Sequence, residues 1–184
     1  MRPFLETERL VLRQFTAGDA DELFDLHNDP RVMRLIDGGG RTPRELITGT
    51  FLPTALHRYE RTPGRGHWAA VEKPTGRFLG WFELAPPRAD TLSEAELGYR
   101  LRVSAWGRGY GTEGARALVR AAFTRLGVER VFAQTMAVNA ASRRVREKAG
   151  LVHVRTFHEV WDHPLPGTEH GEVEYELLKA DHQP

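Results

Sequence analysis

The spacing of hydrophobic and polar residues changes several times along the chain, and each change marks an element. Arg9-Leu-Val-Leu-Arg-Gln-Phe15 alternates well enough for a first strand. Asp19 stands where an N-cap belongs, with Glu22 completing a box-like pattern. Leu23, Phe24 and Leu26 then mark the buried side of a short helix. Asn28-Asp-Pro30 breaks it, Arg31 to Ile36 add a turn or two, and Asp37-Gly-Gly-Gly40 reads as a loop. Thr42-Pro-Arg-Glu45 opens a second helix, with Thr as N-cap, Pro at N1 and Glu at N3. It runs toward Tyr59, with Pro53 kinking or dividing it. His67 to Glu72 and Arg77 to Leu84 form a meander around the turn Lys73-Pro-Thr-Gly76, and Ala95 to Val103 alternates as a further strand.

Beyond that strand the period lengthens. Ala115, Leu118, Val119, Ala122, Phe123 and Leu126 fall on one face of an α-helix, and Gly127 occupies the position of a left-handed cap. Arg130 to Val138 is a strand parallel to the one before the helix, reached by a right-handed crossover. Asn139 caps a helix with Ala141, Val145 and Ala149 facing inward and Gly150 at its end. Leu151 to Trp161 and Gly171 to Ala180 are two final strands, separated by the polar, proline-rich loop Asp162 to His170. Strands first, a parallel βαβ unit next and a hairpin last predict an α/β chain, a single domain over 1–184, with helices on the faces of a mixed sheet.

Composition narrows the chemistry. A net charge of +1 gives no polyanion-binding character, so no nucleic acid is expected as partner. There is no cysteine, which excludes disulfides, thiolate metal sites and a cysteine nucleophile. Lys73, Lys148 and Lys179 are the only lysines, an arginine bias of the kind genome composition produces. The eight histidines show no H-x-x-x-H spacing, so no metal is expected. No segment is apolar enough to enter a membrane or serve as a leader, and a cytoplasmic location is the expectation.

The candidate chemistry lies at the turn from the Ala95–Val103 strand into the next helix. Gly107, Gly109 and Gly111 let the backbone turn tightly and approach a ligand, and a helix start offers free N–H groups to a phosphate. Gly109-Tyr-Gly-Thr-Glu-Gly114 matches G-x-G-x-x-G. The following strand, however, ends in Asn139 with no acid for a ribose, which argues against a dinucleotide domain. No Gly-Lys-Ser/Thr occurs, so a Walker A loop is excluded.

Trp106-Gly-Arg-Gly-Tyr-Gly-Thr-Glu113 resembles the acetyl-CoA pyrophosphate loop of the GNAT superfamily of N-acetyltransferases, Gln/Arg-x-x-Gly-x-Gly/Ala, with Trp106 in place of the usual Gln or Arg. The tryptophan is similar to one branch, the ribosomal-protein alanine and serine N-terminal acetyltransferases. Thr7-Glu-Arg-Leu-Val-Leu-Arg13, Asn28-Asp-Pro-Arg-Val-Met33 and Asn139-Ala-Ala-Ser-Arg-Arg-Val-Arg-Glu-Lys-Ala-Gly-Leu151 fit that branch in order.

The resemblance implies a GNAT-like sheet splayed between its two central parallel strands, with acetyl-CoA as cosubstrate in the cleft. It places the pyrophosphate on backbone groups from Gly107 through Arg108, Gly109, Tyr110 and Gly111 to Thr112. It pairs Leu101, Arg102 and Val103 with the pantetheine arm. Trp106 either packs behind the loop or touches ligand, and Arg108 either reaches a phosphate or merely solvates the loop. Asn139 and Ser142 match positions that bind the cofactor arm, although an N-cap and a plain N3 residue explain them equally. The implied base is Glu96, on the same face as Glu94, with Glu83 as substitute. Ser142 matches a proposed proton donor to the thiolate, since the superfamily's usual tyrosine is replaced by Arg146. The acceptor is a primary amine, on a protein N-terminus or a small molecule, shaped by the loops at Asp37–Gly40 and Asp162–His170, and the assembly a monomer or homodimer. An inactive CoA-binding sensor of the same fold is the alternative.

Overall fold

The computed structural model describes residues 3–88 and 90–182. Eight strands alternate with the helices: β1 (Leu5–Glu6), β2 (Leu10–Arg13), β3 (Gly66–Glu72), β4 (Phe78–Ala85), β5 (Glu94–Leu101), β6 (Arg130–Met136), β7 (Val152–Phe157) and β8 (Glu172–Leu178). They form one sheet in the order β1-β2-β3-β4-β5-β6-β8-β7, with β8 inserted between β6 and β7. Every neighbouring pair is antiparallel except β5 and β6. The β4 run Phe78-Leu-Gly-Trp-Phe-Glu-Leu-Ala85 is apolar at nearly every position because helices cover the sheet on both sides there.

On one face lies α5 (Tyr110–Arg125), whose Leu118 and Ala122 pack with Phe82, Leu97, Val131 and Tyr175, followed by α6 (Ala140–Lys148). On the other lie α1 (Ala20–His27), α2 (Pro30–Met33), α3 (Arg44–Leu46) and α4 (Leu52–Arg61), which bury Leu23, Leu26, Met33, Ile47 and Leu52 against Phe15, Ala69 and Trp81. Among the described residues no helix is long and apolar enough to cross a membrane.

Several local expectations are revised. Asp19 does not cap α1 through its side chain; its carboxylate takes the Thr16 N–H at 2.7 Å and the Arg13 guanidinium at 2.6 Å. Thr42 lies outside α3, bonding the His27 carbonyl, and the chain enters the helix at Arg44. The run is divided ahead of Pro53, as expected: a π turn over Ile47–Phe51 separates α3 from α4, and Pro53 stands in the first turn of α4, where its missing N–H costs little. In α6, Ala141 is exposed and Arg146 is buried, the reverse of the apolar pattern. β6 stops at Met136, and Val138 is exposed.

The feature that positions the site is how briefly β5 and β6 pair. Only Glu94, Ala95 and Glu96 meet Arg130, Val131 and Phe132; both strands then run on, to Leu101 and Met136, without further rungs. Arg130 clamps the closed end of this cleft, reaching Glu94 at 2.6 Å and Glu174 and Glu176 at 2.7 Å each.

Candidate active site

Where β5 ends, a short 3₁₀ turn at Val103–Ala105 swings the chain outward, and α5 begins at Tyr110. Among the described residues, the backbone N–H groups from Gly107 to Thr112 bond no backbone carbonyl. Glu113 is the first that does, onto Gly109 at 3.0 Å. A row of free amides at the start of a sixteen-residue helix carries partial positive charge and suits a diphosphate. Gly109, at φ +84°, makes the turn.

The loop is clasped from behind. Tyr110 donates to Glu72, which Thr75 and Arg77 also hold, and these hydrogen bonds, Thr75's first, keep its carboxyl down at about 2. Glu113 in the first turn of α5 accepts from Thr7 Oγ1 at 2.6 Å and from the Arg9 N–H and Nε at 2.8 and 2.7 Å. Thr7 and Arg9 thus anchor the first turn of α5. The Arg9 guanidinium balances the Glu113 charge there, which lessens its repulsion of an anion.

Trp106 is 48% exposed, and its indole N–H donates to the Leu101 carbonyl at 2.8 Å, bracing the loop from β5. The carbonyls of Arg102 and Val103 accept within the 3₁₀ turn, and the Arg102 N–H donates to Leu79 O at 2.8 Å. A pantetheine arm laid along Leu101–Val103 would therefore share acceptors already in use. The Arg102 side chain pairs with Glu22 of α1. Arg108 stands 3.6 Å from Glu72 and stacks on Tyr110, leaving about half its side chain exposed.

Gly109→Ala should weaken acetyl-CoA binding at least tenfold by calorimetry. A left-handed residue with a Cβ costs about 1–2 kcal/mol, and the new atom would lie 3.2 Å from the Arg9 guanidinium, so the turn relaxes and its amides diverge.

Along the splay, α6 lines one wall. Asn139 accepts the Ser142 N–H through Oδ1 at 3.2 Å and donates to Thr135, so its side chain is spent on capping. Ser142 Oγ lies 3.1 Å from the Tyr99 hydroxyl and accepts from Arg146. Arg146 also donates to the Gln134 carbonyl at 2.6 Å, a group that the missing β5–β6 rungs leave free. Alternation sends Glu96 and Tyr99 to opposite faces of β5. Glu96 and Ser142 therefore flank the cleft from its two sides, with the Arg146 charge acting on both Glu96 and Tyr99.

The face of β5 bearing Glu96 also carries Gly98 and Arg100, with Trp81 and Glu83 beside them on β4 and His67 on β3. Glu96 is half-buried and makes no hydrogen bond or ion pair among the described residues. Burial raises its carboxyl, while Arg146 opposes the rise. Glu83 reaches over Gly98: a Cβ there would lie 3.2 Å from its Oε2. Arg58 bonds Glu83 at 3.2 Å, and His67 Nε2 stands 3.4 Å away. Burial first, and the charge of Glu96 second, push Glu83 up to about 7, whereas burial pulls His67 down to about 4 and keeps it neutral.

The fold thus favours protonated Glu83. That contribution is fully present below the ordinary carboxylate value of 4.5, declines as pH rises toward about 7, and is lost above it. Glu83→Gln, which stays neutral, should melt above the parent at pH 8 and show no such advantage at pH 4. A Tm series against pH checks this. The loops at Asp37–Gly40 and Asp162–His170 meet over this face, since a Cβ on Gly38 would lie 3.0 Å from Leu165.

A family model for the acetyltransferase (GNAT) domain matches residues 9–152. The chain belongs to the GNAT acetyltransferases. Its curated relatives include FsC-acetyl coenzyme A-N(2)-transacetylase of Aspergillus fumigatus, 37% identical over 188 residues, covering 98% of this chain and 78% of that one. A GNAT-family acetyltransferase from Bacillus anthracis shares the fold, with a TM-score of 0.80 at 20% identity, covering 96% of this chain and 98% of that chain. So does a ribosomal-protein α-N acetyltransferase solved with coenzyme A, with a TM-score of 0.79 at 17% identity, covering 96% and 98%.

This GNAT domain is an N-acetyltransferase, and acetyl-CoA is its cosubstrate. Membership accounts for the splay and the free amides together. The sequence did not point to Tyr99 or Arg100 as site residues, although strand alternation places them on opposite walls of the cleft. Arg146 was noted only as the replacement for a tyrosine.

Proposed function

We propose that this GNAT enzyme acetylates a primary amine by direct attack on the thioester, with Glu96 as general base. One observation carries the reading: an unpaired, half-buried carboxylate sits on the last rung of β5 before the splay opens. The amine approaches from the Glu96 face, and its nitrogen attacks the acetyl carbonyl. Glu96 takes the proton that the nitrogen sheds. The tetrahedral intermediate expels the CoA thiolate, and the Ser142–Tyr99 hydroxyl pair supplies its proton; burial holds the Tyr99 hydroxyl up, and the Arg146 charge opposes that rise. A thiol with a pKa near ~8.5 asks for no stronger acid.

An α-amine with a pKa near ~8 is about a tenth neutral at pH 7, whereas a lysine near ~10.4 is almost wholly charged. A base whose own value lies above the ordinary carboxylate range suits the former. The name of the 37% relative, a transfer to an N(2) nitrogen, together with loops that meet over the acceptor face, favours a small-molecule amine over a protein terminus. A panel of small amines and N-terminal peptides with acetyl-CoA, read out as free thiol, tests this. Turnover confined to peptides overturns the small-molecule reading, and none with any amine overturns the activity.

A further inference from the structure

Four arginines among the described residues bury an Nε–H without a partner: Arg65, Arg100, Arg102 and Arg146. Three of them direct their terminal nitrogens to oxygen. Arg65 donates to the Leu92 and Leu126 carbonyls, Arg102 to Glu22, and Arg146 to Gln134 and Ser142. Arg100 is different. Among the described residues its one hydrogen-bonding neighbour is the His27 ring, 3.1 Å from Nη1 to Nδ1, and its flat face lies over Trp81 with Cζ 5.2 Å from the ring centroid.

The His27 ring is neutral, because burial and the Arg100 charge pull it down to about 3. It supplies an acceptor but no counter-charge. Asp37 is the carboxylate whose charge reaches Arg100, yet its Oδ1 accepts from the Gly39 and Gly40 N–H groups at 2.9 and 3.2 Å and forms no ion pair.

With Nη1 engaged and Nε–H buried, Nη2 is the guanidinium nitrogen left to meet a ligand among the described residues. A single N–H···O⁻ bond from it to an anion is charge-assisted, about twice as strong as a neutral one. A largely desolvated cation without an anion is costly and is ordinarily paired. Arg100 points from the same face of β5 as Glu96 and Gly98, two residues beyond the glycine over which Glu83 extends, about 7 Å along the strand.

We propose that the amine acceptor carries an oxyanion, a carboxylate or a phosphate, a few bonds from its nitrogen, and that Nη2 of Arg100 binds it. The inference rests on taking this face as the acceptor side. Arg100 is then a specificity residue: Glu96 and Glu83 receive the amine, and Arg100 fixes the other end.

The probes are ω-amino carboxylates from glycine to 6-aminohexanoate, their carboxamides, and the pair phosphoethanolamine and ethanolamine. Each is tested with acetyl-CoA against the parent protein and the variants Arg100→Gln and Arg100→Lys. We expect the parent to prefer one anionic series over its neutral counterparts by roughly tenfold to a hundredfold in kcat/KM, the scale of one charge-assisted hydrogen bond. Arg100→Gln should collapse that preference toward unity, and Arg100→Lys should restore only part of it. Preference for carboxylates or for phosphoethanolamine tells the two anions apart.

Parent turnover with no anion preference, or a preference unchanged in Arg100→Gln, overturns the inference while leaving the acetyltransferase reading intact. Calorimetric titration of the CoA-loaded proteins with the same probes covers the opposite case. Anion binding that disappears in Arg100→Gln upholds the inference even if no amine is turned over, and binding equal in both proteins refutes it. Tm and acetyl-CoA affinity of the variants identify a loss of fold, and Arg100→Lys then carries the comparison.

Discussion

Glu96→Gln lowers kcat/KM for the amine by about 10²–10⁴-fold, the usual cost of a lost general base, and leaves acetyl-CoA affinity within about threefold, as expected if the free amides of Gly107–Thr112 hold the cofactor. The substitution has a second effect that separates the two carboxylates. The Glu96 charge helps hold Glu83 up near 7; without it, Glu83 titrates lower. If Glu96 is the base, the rate falls throughout and the loss shrinks only as pH rises and the amine supplies its own neutral fraction. If Glu83 is the base, the variant keeps its plateau and its acidic limb moves to lower pH. Profiles of kcat/KM against pH for the parent, Glu96→Gln and Glu83→Gln decide the matter. A Glu96→Gln profile with an intact plateau transfers the role to Glu83.

Gly114→Ala destabilises the fold by about 2 kcal/mol or more, although it should strengthen the helix it occupies. Alanine gains about 1 kcal/mol over glycine in a helix interior. Here the added methyl would lie 2.2 Å from Phe82 Cζ and 2.6 Å from Cε1 and Cε2, and Phe82 is fully buried on β4. The ring has no space to yield into, so the cost lies at or above the top of the usual 1–3 kcal/mol range for overpacking, about 3 kcal/mol or more. For a chain of this size the net loss lowers Tm by roughly 4–8 °C. Two companions give the prediction its edge. Gly49→Ala, with nothing within 4 Å of its new Cβ, should be neutral or slightly stabilising. Phe82→Leu should recover part of the loss when combined with Gly114→Ala, the signature of a shared contact. Equal Tm for the parent and Gly114→Ala would show that α5 can slide away from the sheet.

Strands with clean alternation were legible in the sequence to within a few residues, as were α5 with its glycine cap and α6 with its Asn139 cap. Apolar periodicity and turn chemistry are local, and these elements obey both. The failures share a cause. β1, two residues long, is too short to alternate and exists because it pairs with β2. Arg146 is buried because the splay strands a carbonyl at Gln134, and no periodic pattern predicts a charge in that position. The turn of free amides before α5 was readable because Gly107, Gly109 and Gly111 fall between a clear strand and a clear helix. The acceptor side was not, because Glu83, Gly98 and Arg100 become neighbours only through strand register, and His27 joins them only by helix packing.

The three rungs between β5 and β6 have a mechanical consequence. Apart from helix packing and the Ser93 carbonyl, which accepts from Glu129 and Arg130 just before them, these rungs are what joins the β1–β5 leaf to the β6–β8–β7 leaf among the described residues. Two leaves fastened over so short a length turn about one line, and that line runs through Glu96 and Phe132. A group on the pivot hardly moves when the leaves rock, whereas the contact between Gly38 and Leu165, one on each leaf, sweeps the widest arc. Glu96 is therefore the side chain whose aim changes least as the mouth of the cleft opens to admit an amine or release its amide.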